Sequence, residues 1–262
     1  MNISNNTILI TGGSAGIGLA LAEEFLQNEN EVIICGRDVN KLDKAKQKNP
    51  QLHTIVCDIS DEQSILEMMD VLNKDYPLLN VLVNNAGVMH IHDIVNQSLA
   101  IEHQKKEIMT NFYGTVSLCD KLIPQLMKLD KAAILNVSSG LAYMPFLAAP
   151  VYTATKAAIH SYTQSIRQAL NNTSINVFEA LPPMVDTAMS KGLEMKGMVK
   201  VSPDKLAKII IKQMQSGKVE IKPGASAVMI RMYTLFPWLV NAMMRKMAPL
   251  LLDSLPERIH HV

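Results

Sequence analysis

The sequence predicts a single α/β domain of the Rossmann type, with a doubly wound parallel sheet between two layers of helix. Three observations predict it. Short, continuously apolar runs alternate with longer amphipathic segments. A glycine-rich turn follows the first run directly, and no linker, repeat or low-complexity tract divides the 262 residues.

The strand runs fall at 7–11, 31–35, 53–57, 80–84, 132–137 and 175–180. Helical patterns lie between them near 16–28, 39–47, 61–74, 103–128 and 150–171. Runs such as ILIT, VIIC and VLVN lack polar alternation, as strands covered on both faces require. Each strand–helix–strand step implies a right-handed crossover to a parallel neighbour. A helix at 203–215 and a short strand at 219–222 complete a seven-stranded sheet, expected in the order 3-2-1-4-5-6-7. Residues 1–262 therefore read as one unit, with 188–201 as a candidate substrate loop and 225–262 as an apolar C-terminal extension. Ten of the 17 methionines lie after residue 180. The apolar stretch 225–252 is interrupted by Arg231, Pro237, Arg245, Lys246 and Pro249.

Composition narrows the function classes. A net charge of +1 excludes a general nucleic-acid-binding surface. Cys35, Cys57 and Cys119 are too few for a disulfide scaffold and lack metal-ligand spacing, so no metal site is expected. The first two read as buried thiols, which implies a reducing compartment. The polar start, MNISNN, lacks the parts of a signal peptide, and no apolar run approaches the roughly 20 residues that span a bilayer. A cytoplasmic protein is the expectation.

Residues 7–18, TILITGGSAGIG, are strand, glycine turn and helix start. Gly12, Gly16 and Gly18 allow a tight turn whose backbone N–H groups can approach a pyrophosphate at a helix N-terminus. A strand-to-helix turn without a ligand is the competing reading. The second strand ends on Cys35-Gly36-Arg37, where an acidic residue would hold the ribose hydroxyls of NAD. Arg37 instead offers two hydrogen bonds to a 2′-phosphate, which favours NADP(H) and leaves NAD(H) as the alternative. Asp38 falls one place too late for the NAD pattern. Asp58 and Ile59 follow the third strand, where a carboxylate could accept from adenine and Ile59 could pack on the ring. After the fourth, Asn85-Ala86-Gly87 combines an amide that can tie strands together with small residues that leave room for a cofactor. A helix cap and a plain turn are the bland readings of these two stretches.

Tyr152 and Lys156 share one face of a predicted helix at i and i+4. A nearby ammonium stabilises a phenolate and makes tyrosine usable in acid–base catalysis. Ser138 and Ser139, at the end of a strand, offer a hydroxyl for a substrate oxygen. Asn111 occupies a mid-helix position that asparagine disfavours, which a functional role would explain.

TGGSAGIG, NNAG, Asn111, Ser139 and YTATK, in this order, resemble the short-chain dehydrogenase/reductase family over roughly residues 7–222. The resemblance implies an oxidoreductase that moves a hydride between a nicotinamide and a carbonyl or alcohol. It implies Tyr152 as acid/base, with Lys156 lowering its pKa and holding the nicotinamide ribose. Ser139, thirteen residues upstream, becomes the substrate-orienting serine with Ser138 as rival, and Asn111 holds a proton-relay water. The implied cofactor contacts are Gly12, Ser14, Ile17, Gly18, Arg37, Asp58, Ile59, Asn85, Ala86, Tyr152, Lys156, Val185 and Thr187. TILITGGSAGIGLALAEEF, VIICGRD, NVSSGLAY and PPMVDT are similar to the DltE-like branch of that family. Pro183 stands where the family carries glycine; it fixes φ and lacks an N–H, which bears on Val185 and Thr187.

Met189, Met195 and Met198 in the 188–201 loop, with the 225–252 segment, suggest an adaptable apolar pocket for a bulky substrate. Packing as a plain extension or subunit contact is the alternative for 225–252. Phe236, Trp238 and Leu239 beside Arg231, Arg245 and Lys246 are also compatible with peripheral membrane contact, although the prolines argue against a long helix. Relatives implied by the resemblance pair as homodimers or homotetramers through the helices carrying Asn111 and Tyr152. A catalytically silent NADP-binding sensor or scaffold is the competing function.

Overall fold

Seven parallel strands form one sheet in the computed structural model, which describes residues 2–94, 99–193 and 199–253. They are β1 (Thr7–Thr11), β2 (Glu31–Gly36), β3 (His53–Val56), β4 (Leu79–Asn84), β5 (Ala132–Val137), β6 (Ile175–Ala180) and β7 (Glu220–Ile221). Their spatial order is β3-β2-β1-β4-β5-β6-β7, as the sequence predicts. The order reverses between β1 and β4, and a crevice at such a reversal, beyond the carboxyl ends of the strands, is where this architecture binds ligands.

Successive residues of a strand leave opposite faces. Ile8 and Ile10 join one apolar layer and Leu9 the other; Val32 and Ile34 oppose Ile33 and Cys35 in the same way. The first layer is closed by α1 (Gly16–Gln27), α2 (Val39–Lys48) and α7 (Pro203–Gln215). The second is closed by α3 (Glu62–Asp75), α5 (Gly114–Leu126) and part of α6 (Pro150–Ala169). Each such side chain removed from water contributes about 1.5–3 kcal/mol, so both faces demand apolar residues and the strands read as unbroken runs.

Local chemistry sets the helix starts. Asp38 accepts from the Lys41 backbone N at 3.1 Å and so caps α2. Ser202 caps α7, whose first residue is Pro203, and Pro150 opens α6.

The predicted helix at 103–128 is less regular than its apolar pattern suggests. α4 (Ile101–Glu107) passes through a π-helical stretch, Ile108–Tyr113, before α5 begins. A π turn inserts one residue without disturbing the apolar spacing on either side, so the pattern conceals it.

The C-terminal stretch is two helices, α8 (Ala225–Leu235) and α9 (Pro237–Asp253), bent by 117°. Pro237 marks the corner and stands at the first helical position, where its missing N–H costs nothing. Pro249, expected as a second interruption, lies inside α9. Among the described residues no single helix is long and apolar enough to cross a membrane. Met195, Gly197 and Met198 of the predicted loop, and residues 254–262 of the predicted extension, lie outside the described residues.

Candidate active site

The turn after β1 is shaped by what a side chain would strike. Gly12 has φ +63°, and a Cβ there would come 2.9 Å from Ala86 Cα. Gly16 has φ +55°, and its Cβ would lie 3.1 Å from Thr187 Cγ2. At Gly18 a Cβ would fall 2.3 Å from the Gly12 carbonyl oxygen and 2.5 Å from Asn85 Nδ2. The loop is thus packed directly against the ends of β4 and the segment after β6. Ala15, the residue before α1, makes no side-chain cap, so the first N–H groups of the helix around Ile17 have no side-chain partner. A helix start of this kind leaves backbone N–H groups free to meet an anion, and Ser14 and Gly16 lie beside it.

Thr11, which the sequence reading passed over, organises the neighbouring turn. Its hydroxyl accepts from the backbone N of both Asn85 and Ala86 at 3.0 Å. Asn85 Nδ2 donates to the Thr11 carbonyl at 3.0 Å, and Asn84 Nδ2 donates to Asn136 Oδ1 at 2.9 Å. The asparagines therefore tie β1, β4 and β5 together. Arg37 is exposed at the end of β2, with Nη1 4.0 Å from Asp58 Oδ2. Partial burial pushes the Asp58 carboxyl up, but hydrogen bonds from Ser60 and the Arg37 charge outweigh it and hold the group below its ordinary value. Ile59 is buried, and Gly114 leaves the space its side chain occupies.

Pro183 leaves the segment after β6 in place. Pro182 O accepts from Gly140 N at 3.0 Å, and Val185 is buried and bridged to Val201. Thr187 starts a short 3-10 turn, Ala188–Ser190, through a reciprocal capping box with Ser190. Its methyl reaches the glycine loop, so the segment meets the cradle despite the changed proline.

Tyr152, Lys156, Ser139 and Asn111 are all buried and come together beyond β4 and β5. Lys156 Nζ donates to the Val137 carbonyl at 2.9 Å and lies 5.7 Å from the centre of the Tyr152 ring. Ser139 is buried close enough to the Tyr152 phenol to favour its ionised form, whereas Ser138 Oγ donates to the Lys156 carbonyl at 3.3 Å. Between the two serines, Ser139 is thus the one that meets the phenol. Asn111, inside the π-helical stretch, bonds both ends of the Val88 peptide: Oδ1 accepts from Val88 N at 2.8 Å and Nδ2 donates to Val88 O at 2.9 Å. Nδ2 also donates to Thr155 Oγ1 at 3.0 Å, which joins the π turn to α6. A Cβ on Gly87 would stand 3.4 Å from Asn111 Oδ1 and 3.6 Å from Lys156 Nζ, so this glycine keeps open the space beside both.

Burial pushes the Tyr152 phenol up to about 12; the Ser139 hydrogen bond opposes it and the Glu107 charge adds to it. Burial pushes the Lys156 ammonium down to about 8, with the Glu179 charge opposing. Protein groups alone therefore keep Tyr152 protonated near neutrality, as a proton donor must be. The lowering of the phenol expected from Lys156 is not among these causes; desolvation sets the direction.

A protein-family model for the short chain dehydrogenases matches residues 6–196. The chain belongs to the short-chain dehydrogenase family. This dehydrogenase is 43% identical over 227 residues to the uncharacterized oxidoreductase DltE of Bacillus subtilis (strain 168), covering 84% of this chain and 89% of that protein. It is 28% identical over 210 residues to an uncharacterized oxidoreductase of Staphylococcus epidermidis, covering 80% and 90%. Among solved structures, a short-chain dehydrogenase of Burkholderia cenocepacia J2315 in complex with NADP shares the fold at a TM-score of 0.82 and 22% identity, over 93% of this chain and 99% of that one. One from Burkholderia phymatum in complex with NAD aligns at 0.79 and 16%, over 91% and 96%.

Two buried carboxyls of the dehydrogenase lay outside the sequence reading. Glu107, one turn before Asn111, accepts from the His90 backbone N and lies 3.2 Å from His90 Nδ1. Burial raises its carboxyl to about 7, with the His90 backbone hydrogen bond opposing. Glu179 on β6 is fully buried, 2.8 Å from His160 Nδ1, and supplies the negative charge that Lys156 feels. The i,i+4 spacing of Glu107 to Asn111 and of Lys156 to His160 was present in the sequence. Their burial, which gives the spacing meaning, was not.

The apolar segment packs beside the same tyrosine. Ile230, Val240 and Met244 from the α8–α9 corner join Met144, Phe146, Leu193 and Tyr152 in a third apolar cluster, with Met89, Met184 and Met229 at its margin. One wall of the dehydrogenase site is therefore made of flexible thioethers and branched aliphatics.

Proposed function

We propose that this dehydrogenase interconverts a bulky, apolar carbonyl compound and its alcohol, with NADP(H) as redox partner and Tyr152 as the proton donor or acceptor. The observation that carries the reading is the buried cluster of Ser139, Tyr152 and Lys156, with Lys156 Nζ 5.7 Å from the centre of the Tyr152 ring and one turn on along the same helix. The residues present fit a dinucleotide: the glycine cradle at 12–18, the room left by Gly87, and the exposed guanidinium of Arg37.

When bound, the nicotinamide supplies or accepts the hydride. Ser139 orients the substrate oxygen, and Tyr152 gives that oxygen a proton in the reducing direction. Lys156 provides positive charge to the phenol and a donor toward the nicotinamide ribose. Asn111 holds the backbone of Val88 and, by family resemblance, a relay water. The apolar wall excludes bulk water from this chemistry. The test is turnover with NADPH across a set of carbonyl compounds of matched reactivity. Bulky apolar ones are expected to give the higher kcat/KM, and preference for small polar ones overturns the substrate reading.

Two further results are expected. Removing a charge-assisted contact of about 1.5–3 kcal/mol lowers affinity roughly ten- to a hundredfold. Arg37→Ala should therefore cut kcat/KM for NADPH by that factor and leave NADH almost unaffected. Equal losses for both cofactors would refute the 2′-phosphate role. The second concerns pH. Lys156 is charged below about 8 and loses its proton as pH rises, so reductase activity should fall above an apparent pKa near 8. Stability should move the other way. The unfolded chain keeps the lysine proton up to its ordinary 10.5, whereas the folded chain releases it near 8. The unfolded state thus binds more protons in that window and stability rises with pH there. Activity and urea-midpoint profiles check the pair, and Lys156→Met should flatten the stability slope.

We also propose a homodimer or homotetramer in the cytoplasm. The exposed stripe Ala154, Ala157, Ser161 and Ser165 keeps one face of α6 flat enough for close helix pairing, and the three cysteines are free thiols. Sedimentation of Ala157→Glu tests the pairing, since a bulky charge there should dissociate it.

A further inference from the structure

We propose that the corner between α8 and α9 is a docking surface for an anionic lipid bilayer. Six consecutive residues, Thr234 to Leu239, are exposed at this corner. Leu235 and Trp238 are each 69% exposed, with Phe236 at 49% and Leu239 at 43%. Single exposed apolar side chains are ordinary, but a contiguous group of this size on a rigid corner marks a contact. The corner is held by its other face, through Ile230, Val240 and Met244, so the exposed side chains are surplus to folding.

Charge selects the occupant. No acidic residue lies between Glu220 and Asp253, whereas Arg231, Arg245 and Lys246 are exposed and have no ion-pair partner among the described residues. A second copy docked on this face would set like charges against each other. A bilayer with anionic headgroups would not. The layout along each helix also matches an interface. Arg231 lies one turn behind Leu235 on α8, and Arg245 two turns behind Trp238 on the same face of α9. At 1.5 Å per residue these cations stand about 6 and 10 Å back from the apolar tip, the depth at which interfacial segments meet headgroups. The bend of 117° suits a corner that dips into one leaflet and does not span it. The sequence argued against membrane contact because prolines forbid a long helix; in the structure Pro237 is what makes the corner.

Trp238 is the only tryptophan in the chain, so its fluorescence reports the corner alone. The full-length protein, without cofactor, is titrated with vesicles of phosphatidylcholine alone or mixed with phosphatidylglycerol. A blue shift and co-flotation with the mixed vesicles are expected, weakening with salt. Brominated lipid should quench the emission. Leu235→Glu should abolish binding without lowering the thermal midpoint, and Arg231→Gln or Lys246→Gln should weaken it about fivefold each. Absence of a shift, equal binding to both vesicle types, or full binding by Leu235→Glu would overturn the proposal. A shift that grows with protein concentration without vesicles, together with a dimer lost in Leu235→Glu, would assign the face to a second copy and overturn it too. None of these readouts depends on the redox chemistry.

Discussion

Tyr152→Phe is expected to lower kcat by about 10²–10⁴-fold, the range that a positioned acid or base contributes, while NADPH affinity stays unchanged. The substitution keeps the ring that shares an apolar cluster with Met144 and Phe146 and removes the hydroxyl beside Ser139. Stability should fall by about 1 kcal/mol, the net value of one hydrogen bond, so the loss of rate will not reflect unfolding. Single-turnover kinetics with NADPH, beside cofactor binding followed by fluorescence, separate the two quantities. Unchanged turnover refutes the assignment of Tyr152. Tight NADPH binding by the unmodified protein with no turnover on any carbonyl or alcohol would favour a silent sensor.

The second large effect is expected at Gly18. An alanine Cβ there would meet the Gly12 carbonyl oxygen at 2.3 Å and Asn85 Nδ2 at 2.5 Å, the first a backbone atom and the second held by the Thr11 and Gly12 carbonyls. The helix must move off the sheet, or the glycine turn and the Asn85 bonds to Thr11 and Gly12 must open. Overpacking of this kind costs about 1–3 kcal/mol, and because it distorts the cradle it should weaken the cofactor more than tenfold. Gly36→Ala is the contrast. Its Cβ would lie 3.6 Å from Ser14 Oγ, an ordinary contact, and the thermal midpoint should barely change. Calorimetric midpoints of the two variants, with NADPH titrations of Gly18→Ala, decide the matter. Normal cofactor binding by Gly18→Ala would remove the glycine turn from the site.

Much of this site was legible because it is written in short-range patterns. Unbroken apolar runs announce strands buried on both faces, and the spacing of Gly12, Gly16 and Gly18 announces a backbone that must turn sharply and stay bare. Tyr152 and Lys156 announce themselves less well, since an i,i+4 pair is common on any exposed helix. Their burial distinguishes them, and burial depends on what β5, β6 and the C-terminal corner bring to α6. Asp38 shows a limit of another kind. It stands one place from where an acidic ribose ligand belongs, and its structural work is to cap α2.

By itself, then, the sequence determined the strands, the helices between them, the bare glycine turn and the helical spacing of Tyr152 and Lys156, because strand burial, turn geometry and helix periodicity are properties of neighbouring residues. Only the tertiary structure decided that Asn111 sits in a π turn gripping Val88. It also decided that Ser139 and not Ser138 meets the phenol, and that Glu179 lies where its charge reaches Lys156. The same holds for the C-terminal helices, which turn one face to the tyrosine and the other outward. Each of these joins residues far apart in the chain, and the desolvation that sets their charges exists only once the layers have closed.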